Sequence, residues 1–344
     1  NAKKNAGVTV AIIGIRNISN AKKYLFVKNV KHEVTNINPY LVNSRNVIIN
    51  RKSTPISFDI DMEYGNMAID GGHLLLSPLE KLDLLNKYLD IEILIKRVFG
   101  AQEFLNGVER FCLWIKDEHL EMIANVPEVL ARIELVRLSR LSSTDTGTHG
   151  LAKKPHQFRE MKESNSSALI IPTVSSERRL YIPISFVNND SVIIAPNQAI
   201  YDPEPYLFSI LTSRMHMTWV RAVAGRLKTD YRYSSQLCYN TFPFPPISET
   251  QKQELEGHVY AILGEREAHS EKTLAQLYDP DKMPAGLREA HHQNDLAVER
   301  CYRSRPFESD EERLEYLFKL YEQMVAREQE KGTLFEGGGK KKKK

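Results

Sequence analysis

Cysteine, long apolar runs and an excess of charge of either sign are all scarce in this 344-residue chain, and each scarcity excludes something. Cysteine occurs three times, at Cys112, Cys238 and Cys301, far apart and never in CxxC spacing. That rules out a disulfide framework and a cysteine-ligated zinc site, and it fits the reduced thiols of a cytoplasmic protein. No apolar run approaches the length a membrane helix requires, and no signal peptide leads the chain, so no membrane partner is expected. Gly65, Gly71 and Gly72 do not have the GxGxxG spacing, and no strand–turn–helix frame comes after them; they mark tight turns and not a phosphate loop. His291 and His292 with Asp295 do not make a metal cluster, because adjacent residues on a helix point apart. The formal net charge is only +3.

The small net charge hides an uneven distribution. Residues 131–240 hold 14 Lys/Arg against 9 Asp/Glu, whereas residues 246–330 hold 11 against 19. A basic middle ahead of an acidic end points the middle toward a polyanion. Lys340–Lys344, after Gly337–Gly339, read as a flexible basic tail that is either solvated or a weak phosphate contact. The 42% hydrophobic and 26% charged content is that of a globular protein with a sizeable core, and the length allows two or three domains.

Periodicity divides the chain further. Residues 1–60 alternate short β-rich runs (Val8–Ile15, Tyr24–Val27, Val47–Ile49) with Asn-rich turns. The chain enters the first run without preamble, and Asn1-Ala2 resembles the remnant of a cleaved tag; we expect a piece of a longer protein. Residues 61–245 mix helix and strand. Ser77 is a plausible N-cap for a helix opening at Pro78, and Arg110–Ile115, Ala168–Ile171, Leu180–Phe186 and Ser191–Ile194 read as strands. The Ser/Thr/Gly stretch Ser142–Gly150 has little to bury and is expected to be mobile or to face a ligand. Pro243, Pro245 and Pro246 read as a hinge into residues 246–330, where helices are expected over Glu249–Arg266, Glu271–Tyr278, Pro284–Arg303 and Asp310–Glu330. The expected fold class is therefore α+β: a mixed α/β domain, then a small all-helical domain, then the tail at 331–344.

The most informative stretch is Phe208–Pro245. Leu207, Leu211, Met215 and Trp219 recur at helical spacing, and Gly225 stands where a helix C-cap is expected. Trp219 and His216 on this helix read as core packing and a hydrogen-bonded structural histidine. A loop rich in basic, hydroxyl and aromatic groups comes next: Arg226, Lys228, Asp230, Tyr231, Arg232, Tyr233 and Ser234. Lysine donates to the major-groove acceptors of guanine, and aspartate accepts from the amino group of cytosine. Two apart on one loop, Lys228 and Asp230 would suit the two halves of one base pair; the plain alternative is a surface ion pair worth little. Arg226, Tyr231, Arg232 and Ser234 are of the types that grip phosphate and fix register. Ser175, Ser176, Arg178 and Arg179 on one turn suit phosphate or guanine, with Glu177 placed to orient an arginine. Asn197 offers the bidentate amide that pairs with adenine, and Arg137 and Arg140 lie on a helix leading into the Ser/Thr/Gly stretch, each either a DNA contact or an ordinary loop or surface residue.

Seven blocks, in order, carry a family resemblance: Val8–Ile15 (VTVAIIGI), Asn36–Val42 (NINPYLV), Glu63–Ser77 (EYGNMAIDGGHLLLS), Phe99–Ile115 (FGAQEFLNGVERFCLWI), Val174–Phe186 (VSSERRLYIPISF), the Phe208–Pro245 stretch, and Leu277–His291 (LYDPDKMPAGLREAH). The chain resembles the C-terminal part of MmeI-like type IIG restriction–modification enzymes, single-chain adenine DNA methyltransferases. The resemblance implies that residues 1–60 are the tail of a methyltransferase domain with its link, 61–245 a target-recognition domain, and 246–330 a C-terminal helical domain. It also implies that Lys228 and Asp230 lie in the loop that decides which base pair is accepted. His73 stands where the family more often has asparagine, and Met67-Ala68 replaces a Lys-Pro pair.

Such an enzyme needs a glycine-rich loop for S-adenosylmethionine and an Asn-Pro-Pro-Phe/Tyr motif that holds the flipped adenine. Neither occurs here, nor does a clustered acidic nuclease motif with its lysine. The expectation is a chain without catalytic residues, cofactor or metal of its own, which binds double-stranded DNA beside a methyltransferase domain it lacks, while the intact parent uses S-adenosylmethionine. The alternative is a protein-interaction module whose acidic helical end docks to a partner.

Overall fold

The computed structural model describes residues 12–27 and 30–336. Residues 8–11 of the Val8–Ile15 run and the whole lysine tail lie outside them, and residues 12–15 are exposed and form no strand among the described residues. Lys23–Val27 and Val30–Val34 form an antiparallel hairpin. Val47–Ile49, expected as a strand, gains no strand partner among the described residues; Val47 and Ile49 are buried, and the segment is fastened by Ile49 N–H to the Tyr40 hydroxyl (2.8 Å).

Three small sheets come after it. In the first, Ser191–Ile193 runs parallel to Ile95–Phe99, which pairs antiparallel with Phe111–Leu113 and then Leu75–Leu76. The second orders Glu63–Tyr64, Gln198–Tyr201, Ser167–Ile171 and Ser185–Asn188, all antiparallel. The expected strand over Leu180–Phe186 shortens to Ser185–Asn188. Pro183 has no N–H for a ladder, and Tyr181, Ile182 and Ile184 reach the core without one. The third sheet joins Gly225–Leu227, Asp230–Arg232 and Val174–Ser175.

Ser77 caps the Pro78–Lys87 helix in a reciprocal box with Glu80, as its position predicts. Ser142–Gly150 is more ordered than its composition suggests. The Asp145 side chain accepts the Thr148 N–H at 2.7 Å and starts a short helix, Thr146–Leu151. In the helical end, Glu249–Glu267, Ala285–Tyr302 and Asp310–Glu336 match their periodicity, while Thr273 caps a helix that spans only Leu274–Leu277.

The mixed and helical regions share one core. Leu169, Ile200, Phe208 and Trp219 belong to the same cluster as Val259, Leu287, Leu317 and Phe318. The Phe-Pro block packs inside it: Phe242 and Phe244 are buried with ring centroids 4.7 Å apart, so this is a packed joint and not a hinge. The apolar faces of the acidic helices are thus spent on the fold. A second core under the first sheet gathers Leu74, Leu94, Trp114, Val129 and Val136.

Asp295, on the Ala285–Tyr302 helix, crosses the joint between the two regions. Its carboxylate accepts from the Tyr181 hydroxyl (2.7 Å) and from the backbone N–H of Arg214 (2.6 Å), the first residue of the Arg214–Val223 helix. Burial raises its pKa from the usual carboxylate range to about 7, against the pull of the two donors and of Arg214. A raised carboxyl pKa contributes stability that is full below the unfolded value and is lost as pH rises through the folded one. We predict that the contribution of Asp295 to thermal stability declines from pH 5 and levels off above about pH 7, and that Asp295→Asn, less stable than the parent at pH 5, loses part of that deficit by pH 8.

Candidate nucleic-acid interface

The element that carries the candidate reading residues is set by a helix with little exposed side. Arg214–Val223 is capped by Ser213, whose hydroxyl accepts the His216 N–H, and it buries Met215, His216, Met217, Thr218, Trp219, Val220 and Val223. It is separate from Tyr206–Leu211, because the chain breaks at Thr212-Ser213. Gly225 is not its C-cap. Ala224 takes extended dihedrals there (φ −64°, ψ 143°), and Gly225 opens a strand.

The segment after this helix is a hairpin and not an open loop. Gly225–Leu227 pairs with Asp230–Arg232 across the two-residue turn Lys228-Thr229, and Asp230–Arg232 pairs in turn with Val174–Ser175. Strand alternation puts Arg226 and Tyr231 opposite each other, with Ser175 on the same side; Leu227, Asp230 and Arg232 take the other side. Tyr231 is buried, and the Arg226 guanidinium lies 4.0 Å from its ring centroid. Arg226 also donates to the Thr229 carbonyl at 3.0 Å.

The turn itself is strained. Lys228 has φ +57°, the left-handed region in which glycine is the usual residue, at the first central position of the hairpin. Its side chain is exposed and makes no ion pair among the described residues. A lysine held where its backbone costs about 1–2 kcal/mol is a candidate for a residue kept for its side chain.

At the root of the hairpin, Tyr233 donates its N–H to the Thr173 carbonyl (2.7 Å), and its hydroxyl meets His216 Nε2 at 3.0 Å. Complete burial lowers the His216 pKa to about 3, so the imidazole is neutral. This pair ties the hairpin to the buried helix. His216 was legible as structural; its role as the hairpin's anchor was not.

The structure brings together the two stretches that the sequence singled out. Because Val174–Ser175 is the third strand, the Ser175–Arg179 turn lies beside Asp230. The Glu177 N–H reaches Asp230 Oδ1 at 3.4 Å, and the Glu177 carboxylate stands 3.9 Å from Arg226. Ser176 and Arg179 are half-buried, and burial lowers the Arg179 pKa while Asp230 opposes the shift. Arg178 is exposed and paired with Asp281. Ser234 is half-buried at the start of the π-helical turn Ser235–Tyr239. Arg226, Lys228 and Arg232 are therefore the exposed cations of the hairpin, and Asp230 is its half-buried carboxylate.

Several expected contacts do not survive. Ser175 is 1% exposed and Tyr231 5%, so neither presents its side chain outward. Asn197 is wholly buried in the turn after Pro196 and donates to the Phe99 carbonyl (3.3 Å), so it is no adenine reader. Arg137 is half-buried, and it is held bidentately by Glu134 (2.8 and 2.6 Å) one helical turn away.

Arg140 is the clearest correction. It is 1% exposed, and its guanidinium donates to five backbone carbonyls, those of Ala68, Ile69, Leu151, Lys154 and Gln157. It is a clamp between two backbone segments and has no donor left for phosphate. Both arginines sit on Pro127–Leu141, a helix of the second core and not of the hairpin's sheet.

Two measurements test this placement. Arg140→Met strands five carbonyls and should cost about 3 kcal/mol in denaturant unfolding while leaving unchanged the salt dependence of any DNA binding by the folded protein. Lys228→Gly should raise stability by about 0.5–1 kcal/mol, because the strain disappears; a loss of stability would show that the turn is not strained.

Comparison with known proteins places two family models on the chain. The family model of the MmeI target recognition domain matches residues 43–246, and that of the MmeI C-terminal domain matches residues 247–327. DNA methyltransferase A of Bacillus subtilis (strain 168) is 46% identical over 328 residues, 95% of this chain and 37% of that protein. The type IIL restriction-modification enzyme MmeI, solved in complex with DNA, has a similar structure, with a TM-score of 0.83 at 35% identity over 90% of this chain and 42% of that one. The chain thus spans less than half the length of both relatives.

Proposed function

Since this chain belongs to the MmeI family, matching its target recognition and C-terminal domains, we propose that it is the DNA-reading portion of a restriction–modification adenine methyltransferase. In this reading it binds double-stranded DNA and presents the Gly225–Arg232 hairpin to the major groove, and it sets the target adenine before a methyltransferase domain outside this chain. Residues 61–245 are then the recognition domain and 246–330 its helical support. The observation that carries the reading is the hairpin itself: an exposed donor, Lys228, and an acceptor, Asp230, two residues apart, on a strand fastened to a rigid core. Lys228 and Asp230 read bases; Arg226, Arg232 and Arg179 with Ser176 and Ser234 supply phosphate and orienting contacts, and Arg178 is held by Asp281.

The methyl donor S-adenosylmethionine belongs to the part of the parent outside this chain. The turn with two adjacent positive-φ glycines, Gly71 and Gly72, does not fit it or a phosphate. The buried carboxylate of Asp70 already accepts the Gly72 and Leu74 N–H groups (3.1 and 2.6 Å), which leaves a negative group where an anion would sit. No catalytic step is assigned to residues of this chain. Among the described residues, no helix is long and apolar enough to cross a membrane.

Selection from a random duplex pool, with wild type beside Lys228→Ala/Asp230→Ala, tests the assignment. An enriched motif that the double variant relaxes at one base pair, with a cost of about 1–3 kcal/mol there, is the expected result. Relaxation elsewhere in the motif, or none, would remove the two residues from the reader. A stable complex with a protein and no DNA binding at low salt would favour a protein-interaction module instead.

A further inference from the structure

One exposed cation of the reading surface is already paired, and its partner comes from the helical end. Arg178 Nη2 lies 2.5 Å from Asp281 Oδ2, 103 residues away in sequence. Both side chains are mostly exposed, at 63% and 70%, so packing does not force the contact. Asp281 is nevertheless well placed. Its own N–H binds Asp279 Oδ1 (3.0 Å), and the Lys282 and Met283 N–H groups bind the Asp279 carbonyl (2.9 and 2.8 Å), which fixes the turn ahead of the Ala285–Tyr302 helix. Arg178 is equally fixed, one residue after Glu177, whose N–H contacts Asp230.

We propose that Asp281 limits the affinity of this surface for duplex DNA: its carboxylate occupies the Arg178 guanidinium in place of a DNA phosphate. This rests on the DNA-reading function proposed above. Non-specific affinity comes from cations that neutralise phosphates and release counterions, and it competes with the cognate site at every other position along the duplex. An arginine paired within the protein adds nothing to that background. The pairing lowers affinity by one phosphate contact at cognate and other sites alike, so every duplex is released sooner while discrimination stays with Lys228 and Asp230. A negative group beside a phosphate-binding surface is otherwise a simple liability.

The test is a double-variant cycle of Asp281→Asn, Arg178→Ala and the pair, titrated with a random-sequence duplex between about 50 and 200 mM salt. Asp281→Asn should bind about two- to fivefold tighter, the range expected from freeing an exposed ion pair, and its slope of log affinity against log salt should steepen by about 0.9, one added phosphate contact. Arg178→Ala should have nearly the wild-type slope, and adding Asp281→Asn to it should leave that slope unmoved. Asp281→Ser, which cannot hold the guanidinium, should behave as Asp281→Asn does; matching melting curves establish that the variants are folded. An unchanged slope in Asp281→Asn overturns the proposal, as does an equal gain in affinity with and without Arg178, which would reflect only the loss of a negative charge. If wild type fails to bind duplex at every salt, the DNA-reading function itself falls and this inference with it.

Discussion

The backbone N–H of Arg214, at the first turn of the Arg214–Val223 helix, ends on a carboxylate supplied by another region of the chain, Asp295. A helix N-terminus carries partial positive charge and unpaired donors, so a carboxylate there is favourable electrostatically and satisfies a group that burial would otherwise strand. Burial resists the negative charge, and the outcome is a carboxyl near the midpoint of its titration at neutral pH. The same helix is held along its length by Trp219, whose ring packs against Phe242 (6.3 Å), Phe318 (5.7 Å) and Tyr321 (5.8 Å). His216 then passes the constraint to Tyr233 and the hairpin. The anchor of the hairpin therefore runs through a helix fixed partly by the helical end, and that end is a structural part of whatever the hairpin does.

Elements that obey a strong local rule were legible in the sequence. Ser77 ahead of Pro78 carries its cap in plain view, and the terminal helices keep to their apolar period. The hairpin was not legible. Its turn residues, Lys228-Thr229, are not the Asn-Gly or Gly-X pairs that announce a two-residue connection, and its strands are only three residues long. The third strand that stabilises it comes from more than fifty residues earlier, which local pattern does not contain. Arg140 failed for a related reason. An arginine on an amphipathic helix reads as surface, and only the tertiary fold shows carbonyls converging on its guanidinium. The pairing of the Ser175–Arg179 turn with Asp230 was likewise invisible, although both stretches stood out by residue type.

Polar groups on the proposed reading face alternate in sign: Arg226, Glu177, Asp230 and Arg179 lie close together, and Arg178 meets Asp281. A surface built only for affinity would shed these carboxylates, because each repels phosphate. Their presence is better matched to base reading, where an acceptor is as informative as a donor. Glu177 in particular faces Arg226 and lends its N–H to Asp230, so it holds two candidate DNA contacts in register at once.

The alternation of the hairpin also separates what must stay from what is free to differ. Tyr231, with Arg226 over its ring, faces the core together with Ser175, and changing these would disturb the packing that holds the strand. Lys228 stands on the turn, and Asp230 and Arg232 project from the other side, where a substitution changes the chemistry offered to a groove without opening a cavity. The backbone conformation at Lys228 narrows the choice there, because β-branched residues tolerate positive φ least. Long unbranched side chains such as lysine, arginine, glutamine and glutamate suffer less, and they are also the ones that reach base edges.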